Sequence, residues 1–318
     1  MKIVVLDGHT TNPGDNPWDA LKMFGNVTIY DRTPNEKILE RSVGADILVT
    51  NKTPLMAETI EQLPDLKFIS VLATGYNMVD LQVTAARGIP ISNVPAYSTA
   101  SVAQYTFALL LELCHHVGLH SGQVFEGRWM ESPDFCFWDR SQVELADKTI
   151  GIVGYGQIGS RVGMIAHAMG MNVIATTRTP KAAPEYTPFE WVSLEGLFGW
   201  ADVVSLHCPL TDDNAGFVDK TLLGLMKPSA FLINTARGAI VNEPDLTEAL
   251  NQDSIAGAAL DVISEEPIKA ENPLLNAKNC LITPHVAWAT LAARKRLVQI
   301  TAENIQAFVN GKPINVVN

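Results

Sequence analysis

Short apolar runs separated by stretches of helical period set the rhythm of this chain from its first residues. "KIVVLDG" opens it, a polar and helical region follows, and then come "ADILVTN", "LKFISVLATGYN" and "IPISNVP". A continuous apolar run bounded by turn residues reads as a strand buried on both faces, and strands alternating with helical spacers read as a parallel sheet covered on both sides. Residues 1–97 are therefore expected to form one α/β domain. Residues 98–120, "STASVAQYTFALLLELCHHVGLH", are apolar nearly all round, which predicts a buried helix, and Ser101 with Gln104 has the spacing of a capping box at its start.

From Lys148 the rhythm restarts with "TIGIVGYGQIG", "MNVIATT", "ADVVSLHCPL", "AFLINTARG", "IAGAALDV" and "CLITPHVA". Six strands with helical spacers predict a doubly wound sheet of the dinucleotide-binding type. After Thr290 a charged helical stretch closes the chain and is expected to pack back on the first domain. The expected organisation is thus a Rossmann coenzyme domain, 98–287, inserted in a flavodoxin-like domain made of 1–97 and completed by 288–318.

Composition narrows the class. The chain has 318 residues, more than one core usually supports, with 47% hydrophobic and 18% charged residues, as in ordinary globular proteins. Its formal net charge is -11 and its densest basic stretch is "ARKRL", so nucleic acid is not expected as a partner. No leader-like or membrane-length apolar run is present, and a cytoplasmic protein is expected. The 4 cysteines, Cys114, Cys136, Cys208 and Cys280, have neither C-x-x-C nor Cys/His spacing, so no metal site is predicted.

The glycine turn carries the first chemistry. Gly154, Gly156 and Gly159 follow a strand and open a helix, with Gln157 and Ile158 between them. Gly154 permits the tight turn, Gly156 clears room for a pyrophosphate, and Gly159 lets helix and strand approach; the helix N-terminus offers amide donors to the phosphates. The acid that normally holds the adenosine ribose should fall near residue 177, but the segment reads "TTRTP". Thr177 cannot repel a 2'-phosphate, and Arg178 with Thr179 has the chemistry to pair with one. NADP(H) or NAD(H) is expected as cofactor, with NADPH favoured. In the competing reading Arg178 stacks on adenine or faces solvent.

Three later segments, "NTARGAIV", "DVISEEP" and "TPHVAWAT", end strands on the sheet edge where such folds keep their ligands, and each delivers one ionisable residue: Arg237, Glu266 and His285. A histidine is the ordinary proton donor near neutrality, a carboxylate on its other nitrogen orients it, and a guanidinium matches a carboxylate. With these motifs in this order, the sequence resembles the D-isomer-specific 2-hydroxyacid dehydrogenases over nearly its full length. "LDGHTTNPGD", "TNKT", "LATGYN", "DFCFWD" and "TPHVAWAT" resemble the glycerate dehydrogenase or hydroxypyruvate reductase branch.

That resemblance implies His285 as acid/base, Glu266 rather than Glu265 as its partner, and Arg237 as substrate anchor. It implies contacts to the nicotinamide amide from Asp261, near the backbone of Cys208, Pro209 and Ala236. It also implies a substrate loop at Thr74, Gly75 and Tyr76, to which Lys52 is a candidate addition, and a homodimer using the aromatic "DFCFWDRS", where Phe137 or Trp138 either approaches the neighbour's site or simply packs in the interface. The implied reaction is reduction of hydroxypyruvate or glyoxylate to D-glycerate or glycolate. Two competing readings are a dinucleotide-sensing corepressor-like protein, and 3-phosphoglycerate dehydrogenase, which carries an added regulatory domain. The length of this chain argues against the latter.

Overall fold

A computed structural model describes residues 1–180 and 182–318. Two compact units are found, Met1–Ser98 with Trp288–Asn318, and Thr99–Ala287. Each is a parallel sheet covered by helices on both faces, the expected fold class.

The first unit holds β1 (Lys2–Val5), β2 (Asn26–Ile29), β3 (Ile47–Thr50), β4 (Phe68–Val71) and β5 (Ile91–Ser92), hydrogen-bonded in the order β2-β1-β3-β4-β5. Short helices α1 (Asp19–Lys22), α2 (Ile38–Ser42), α3 (Ala57–Ile60) and α4 (Leu81–Ala86) connect them. The long C-terminal helix, Leu291–Val309, buries Ala293, Leu297, Val298, Ala302 and Ile305 against Ile3, Val5, Ile47, Val49 and Phe68 of this sheet. The sequence reading passed over β2, an edge strand whose residues are exposed or half-buried and so lack the apolar run that marks its neighbours.

The second unit begins with α5 (Thr99–His115) and α6 (Val117–Phe125). The predicted single helix is broken at His116, whose φ of 50° takes it out of the right-handed region. Ser101 does not cap α5. The helix starts at Thr99, and the buried Ser101 hydroxyl donates to the carbonyl of Ala287 at 2.6 Å. Then follow β6 (Thr149–Val153), α7 (Gln157–Ala168), β7 (Asn172–Thr176), β8 (Phe189–Trp191), α8 (Leu194–Trp200), β9 (Val203–Leu206), α9 (Lys220–Leu223), β10 (Phe231–Asn234), α10 (Glu243–Asn251), β11 (Gly257–Leu260) and β12 (Cys280–Ile282).

The sheet order is β12-β11-β10-β9-β6-β7-β8, all parallel. Seven strands replace the six expected, because β8 reads "FEW", too short and too polar to register as a strand. Alternate residues of each strand feed the two cores: Val204, Leu206 and Leu232 face α8 and α10, whereas Val203, Phe231 and Ile233 face α5 and α7. The chain reverses its direction of winding between β6 and β9, and the crevice at their carboxyl ends is where such a sheet receives its ligand.

Candidate active site

The glycine turn leaves β6 at this switch point. Gly154 has a φ of 92°, and a Cβ there would stand 2.6 Å from the amide nitrogen of Cys208 at the end of β9. A Cβ on Gly159 would strike the Gly154 carbonyl oxygen, so helix and strand meet only because it is absent. A Cβ on Gly156 would meet nothing within 4 Å. Space in front of a helix N-terminus, bare of side chains, fits a dinucleotide pyrophosphate. Gln157 and Ile158 form the first turn of α7.

At the tip of β7, Thr177 is half-buried, while Arg178 and Thr179 are exposed. No carboxylate stands at this position. Near the end of β9, His207 donates or accepts at 2.8 Å with the buried Ser205 hydroxyl, and burial pushes its imidazole down to about 3, so it is a neutral fixture at neutral pH. Cys208 is half-buried with its thiol pushed up by burial, and Pro209 is exposed.

β10 delivers Arg237 through a turn built by Asn234. That buried side chain accepts from the Ala236 amide at 2.9 Å and donates to the Arg237 carbonyl at 2.9 Å. The Arg237 guanidinium is exposed and donates to the Ala236 carbonyl at 2.7 Å. Gly238 then lies so close to the Ile263 backbone that no Cβ fits, which ties the Arg237 turn to the loop that carries Glu266.

β12 delivers His285 in a turn whose anchor is Asp261. The Asp261 carboxylate, 1% exposed, accepts from the Thr283 hydroxyl at 2.7 Å, the Val286 amide at 2.9 Å and the Ala287 amide at 2.8 Å. The His285 amide donates to the Asp261 carbonyl at 2.8 Å. These bonds hold His285 at a φ of 54°, a left-handed conformation that costs a non-glycine residue about 1–2 kcal/mol. Burial raises the Asp261 carboxyl against the opposing pull of its hydrogen bonds from Thr283, Ala287 and Val286.

His285 Nδ1 lies 2.6 Å from Glu266 Oε2, with side-chain exposures of 28% and 33%. Glu265 points elsewhere and pairs with Lys269 at 2.7 Å. The second unit therefore joins His285 and Glu266 directly, links Asp261 to the His285 turn, and sets Arg237 on the adjoining strand end. Asp261, expected at the nicotinamide amide, has its oxygens engaged by its own chain. Sequence reasoning missed Asn234 and Thr283; an Asn at a strand end two residues before an Ala-Arg turn is the one local signal that could have pointed to the former.

In the first unit, the Thr74 hydroxyl donates to the Val94 carbonyl at 3.0 Å and the Thr74 carbonyl accepts from Asn93 at 2.8 Å, so this turn is fixed by its neighbours. Among the described residues, Gly75 and Tyr76 donate no backbone hydrogen bond. Lys52 is exposed, and its loop is shaped by Asp7, which accepts from the amides of Asn51, Lys52 and Thr53 at 2.7, 2.5 and 2.8 Å.

No helix of the described residues is long and apolar enough to cross a membrane. The "DFCFWDRS" segment lies on the surface: Phe135 is 88% exposed, Trp138 is exposed, and Phe125 of α6 is 89% exposed. Arg128 binds Asp139 through both guanidinium nitrogens and lies over the Phe137 ring at 4.3 Å.

Comparison with known proteins places these features. Residues 107–287 match the family model of the D-isomer specific 2-hydroxyacid dehydrogenase, NAD binding domain. The chain is 48% identical over 321 residues, 100% of both chains, to a hydroxypyruvate reductase of Blautia hydrogenotrophica. It is 40% identical to a glycerate dehydrogenase of Methylorubrum extorquens, over 89% of this chain and 88% of that one. Among solved structures, an NADPH-dependent glyoxylate/hydroxypyruvate reductase of Sinorhizobium meliloti superposes with a TM-score of 0.85 at 26% identity, covering 99% of this chain and 97% of that one.

Proposed function

The chain belongs to the D-isomer-specific 2-hydroxyacid dehydrogenase family, and from that premise we propose that it reduces hydroxypyruvate or glyoxylate to the D-2-hydroxy acid at the cost of a reduced nicotinamide dinucleotide. Interconversion of small 2-oxo and 2-hydroxy acids is the chemistry its relatives carry in their names, and the Sinorhizobium meliloti reductase is named as NADPH-dependent. The observation that carries the residue assignment is the 2.6 Å contact of His285, after β12, with Glu266, in the loop after β11, the strand that lies between β12 and the β10 that bears Arg237.

The bound nicotinamide supplies the hydride. Arg237 binds the substrate carboxylate through its planar fork and draws charge from the neighbouring carbonyl. Glu266 accepts a hydrogen bond from His285 Nδ1–H and so favours the imidazolium and orients the ring; Nε2 is the nitrogen we assign to deliver the proton to the developing alkoxide. In the reverse direction the neutral ring takes that proton back. For the first unit, Thr74, Gly75 and Tyr76, with Lys52, are proposed as substrate contacts. Met1–Ser98 with Trp288–Asn318 is proposed as the substrate domain and Thr99–Ala287 as the coenzyme domain.

NADPH is the proposed preference, supported by Thr177 standing where a carboxylate would repel a 2'-phosphate and by the exposed guanidinium of Arg178 beside it. A homodimer is proposed from the exposed large apolar side chains of α6 and residues 125–138, among them Phe125, Met130, Phe135 and Trp138. A cytoplasmic location is proposed from four unpaired thiols.

The test is the initial rate of NADPH and NADH oxidation with hydroxypyruvate and with glyoxylate, for the wild type, Arg178→Ala and His285→Ala. A preference for NADPH that disappears in Arg178→Ala, and a rate lost in His285→Ala, is the expected result. Turnover unaffected by His285→Ala removes the acid/base assignment. Light scattering of Phe135→Asp in solution tests the dimer: a dimeric variant would refute the proposed face.

A further inference from the structure

The loop that carries Glu266 runs from Asp261 at the end of β11 to Asn272. Its internal ion pair, Glu265 with Lys269, has both side chains more than half exposed, and such pairs hold a loop weakly. Within the loop the Ile263 amide donates to Glu266 Oε1 at 3.4 Å and the Asn272 amide to the Lys269 carbonyl at 3.1 Å, and Ile268 packs against the core; two further fixings come from outside the loop. One is the abutment of the Ile263 backbone on Gly238. The other is a single carboxylate, that of Glu243.

Glu243 is the first residue of α10, yet it does not serve that helix. Asn242 caps α10 by accepting from the Asp245 amide at 3.1 Å. The Glu243 side chain, in a residue 8% exposed, turns into the loop: Oε1 accepts from the Ser264 amide at 2.6 Å, and Oε2 accepts from the Asn272 side-chain amide at 2.8 Å. Asn272 in turn uses its carbonyl oxygen to accept from the Leu274 amide at 3.0 Å, which seats the loop's far end on the buried Leu274. Both ends of the segment 264–272 are thereby fastened to one buried side chain, with Glu266 between them.

We propose that Glu243 is the positioning residue for Glu266, setting the carboxylate that orients His285. This rests on the reading of His285 and Glu266 as the acid/base pair. The residue type follows from the donor count: two N–H groups converge on two oxygens, and a glutamine would offer one oxygen and set its own N–H₂ against the other donor. Glu243 bonds the Ser264 amide and the Asn272 side chain at the two ends of the loop, so its effect on turnover passes through the loop.

The experiment is steady-state reduction of hydroxypyruvate by NADPH in wild type, Glu243→Gln, Glu266→Gln and the double variant, with thermal melting alongside. Glu243→Gln is expected to lower kcat about 10- to 100-fold, as misplacements of an ångström do, with the KM for NADPH unchanged. In the Glu266→Gln background it should cost nothing further, because the group it positions is already gone. Asn272→Asp, which keeps the cap on Leu274 and sets a carboxylate against Glu243, should behave alike and serves if Glu243→Gln fails to fold. A Glu243→Gln protein with wild-type kcat, or a loss that multiplies with that of Glu266→Gln, overturns the proposal while leaving the acid/base pair standing. Wild-type kcat in Glu266→Gln itself overturns both.

Discussion

Replacing Asp261 by Asn leaves the shape of the side chain unchanged and removes one acceptor oxygen from a turn in which both oxygens accept hydrogen bonds. In the wild type, Oδ1 takes the Thr283 hydroxyl and the Val286 amide, and Oδ2 takes the Ala287 amide. If the Asn oxygen occupies the Oδ1 position, the Ala287 N–H is left facing an N–H₂ group; if it flips, the Val286 N–H is left so. Either way one backbone donor in a buried turn goes unpaired, at about 1–3 kcal/mol, and the remaining bonds weaken from charged to neutral. The relief of burying a neutral group offsets part of this, since burial already raises the Asp261 carboxyl. A net loss of about 1–3 kcal/mol corresponds to a few to about 10 °C in melting temperature for a unit of this size. The same turn holds His285 in its left-handed conformation, so kcat should fall with stability while the KM for NADPH stays put. Calorimetry and steady-state kinetics on Asp261→Asn give both numbers. An unchanged melting temperature with a raised KM for NADPH would refute this reasoning and return Asp261 to the nicotinamide amide.

Reduction takes up a proton, so its rate should fall as pH rises and the reverse oxidation should gain; His285→Ala should abolish both limbs while NADPH binding, read by fluorescence, persists. Gly159→Ala should destabilise the protein by about 1–3 kcal/mol in urea unfolding, because its Cβ strikes the Gly154 carbonyl and backbone cannot rotate away; wild-type stability would mean helix and strand do not meet as closely as described. Hydrogen bonds from Arg128 and Gln123 hold the Asp139 carboxyl down to about 2, against 3.8 ordinarily. A lowered carboxyl stabilises above its unfolded value and ceases to as pH falls through the folded one, so residues 128–139 should loosen between pH 3.8 and about 2. Trp129 and Trp138 fluorescence should report it, and Asp139→Asn should lack the transition.

What could be read without a structure was what short segments carry within themselves. The central strands announce themselves because burial on both faces demands an unbroken apolar run, and the glycine turn because two of its positions, Gly154 and Gly159, exclude a Cβ for a local reason. Arg237, Glu266 and His285 were found because their motifs sit at strand ends. Edge strands β2 and β8 were missed because half-exposed strands carry no such run. Partner choice was the part that only tertiary structure decided. Whether Ser101 caps its helix or reaches Ala287, which groups of its own turn Asp261 binds, and which oxygens of Glu243 find Ser264 and Asn272 all depend on groups up to 186 positions away in the chain. A buried polar side chain must find a partner, but the sequence states only that obligation. The packing of distant strand ends determines who meets it.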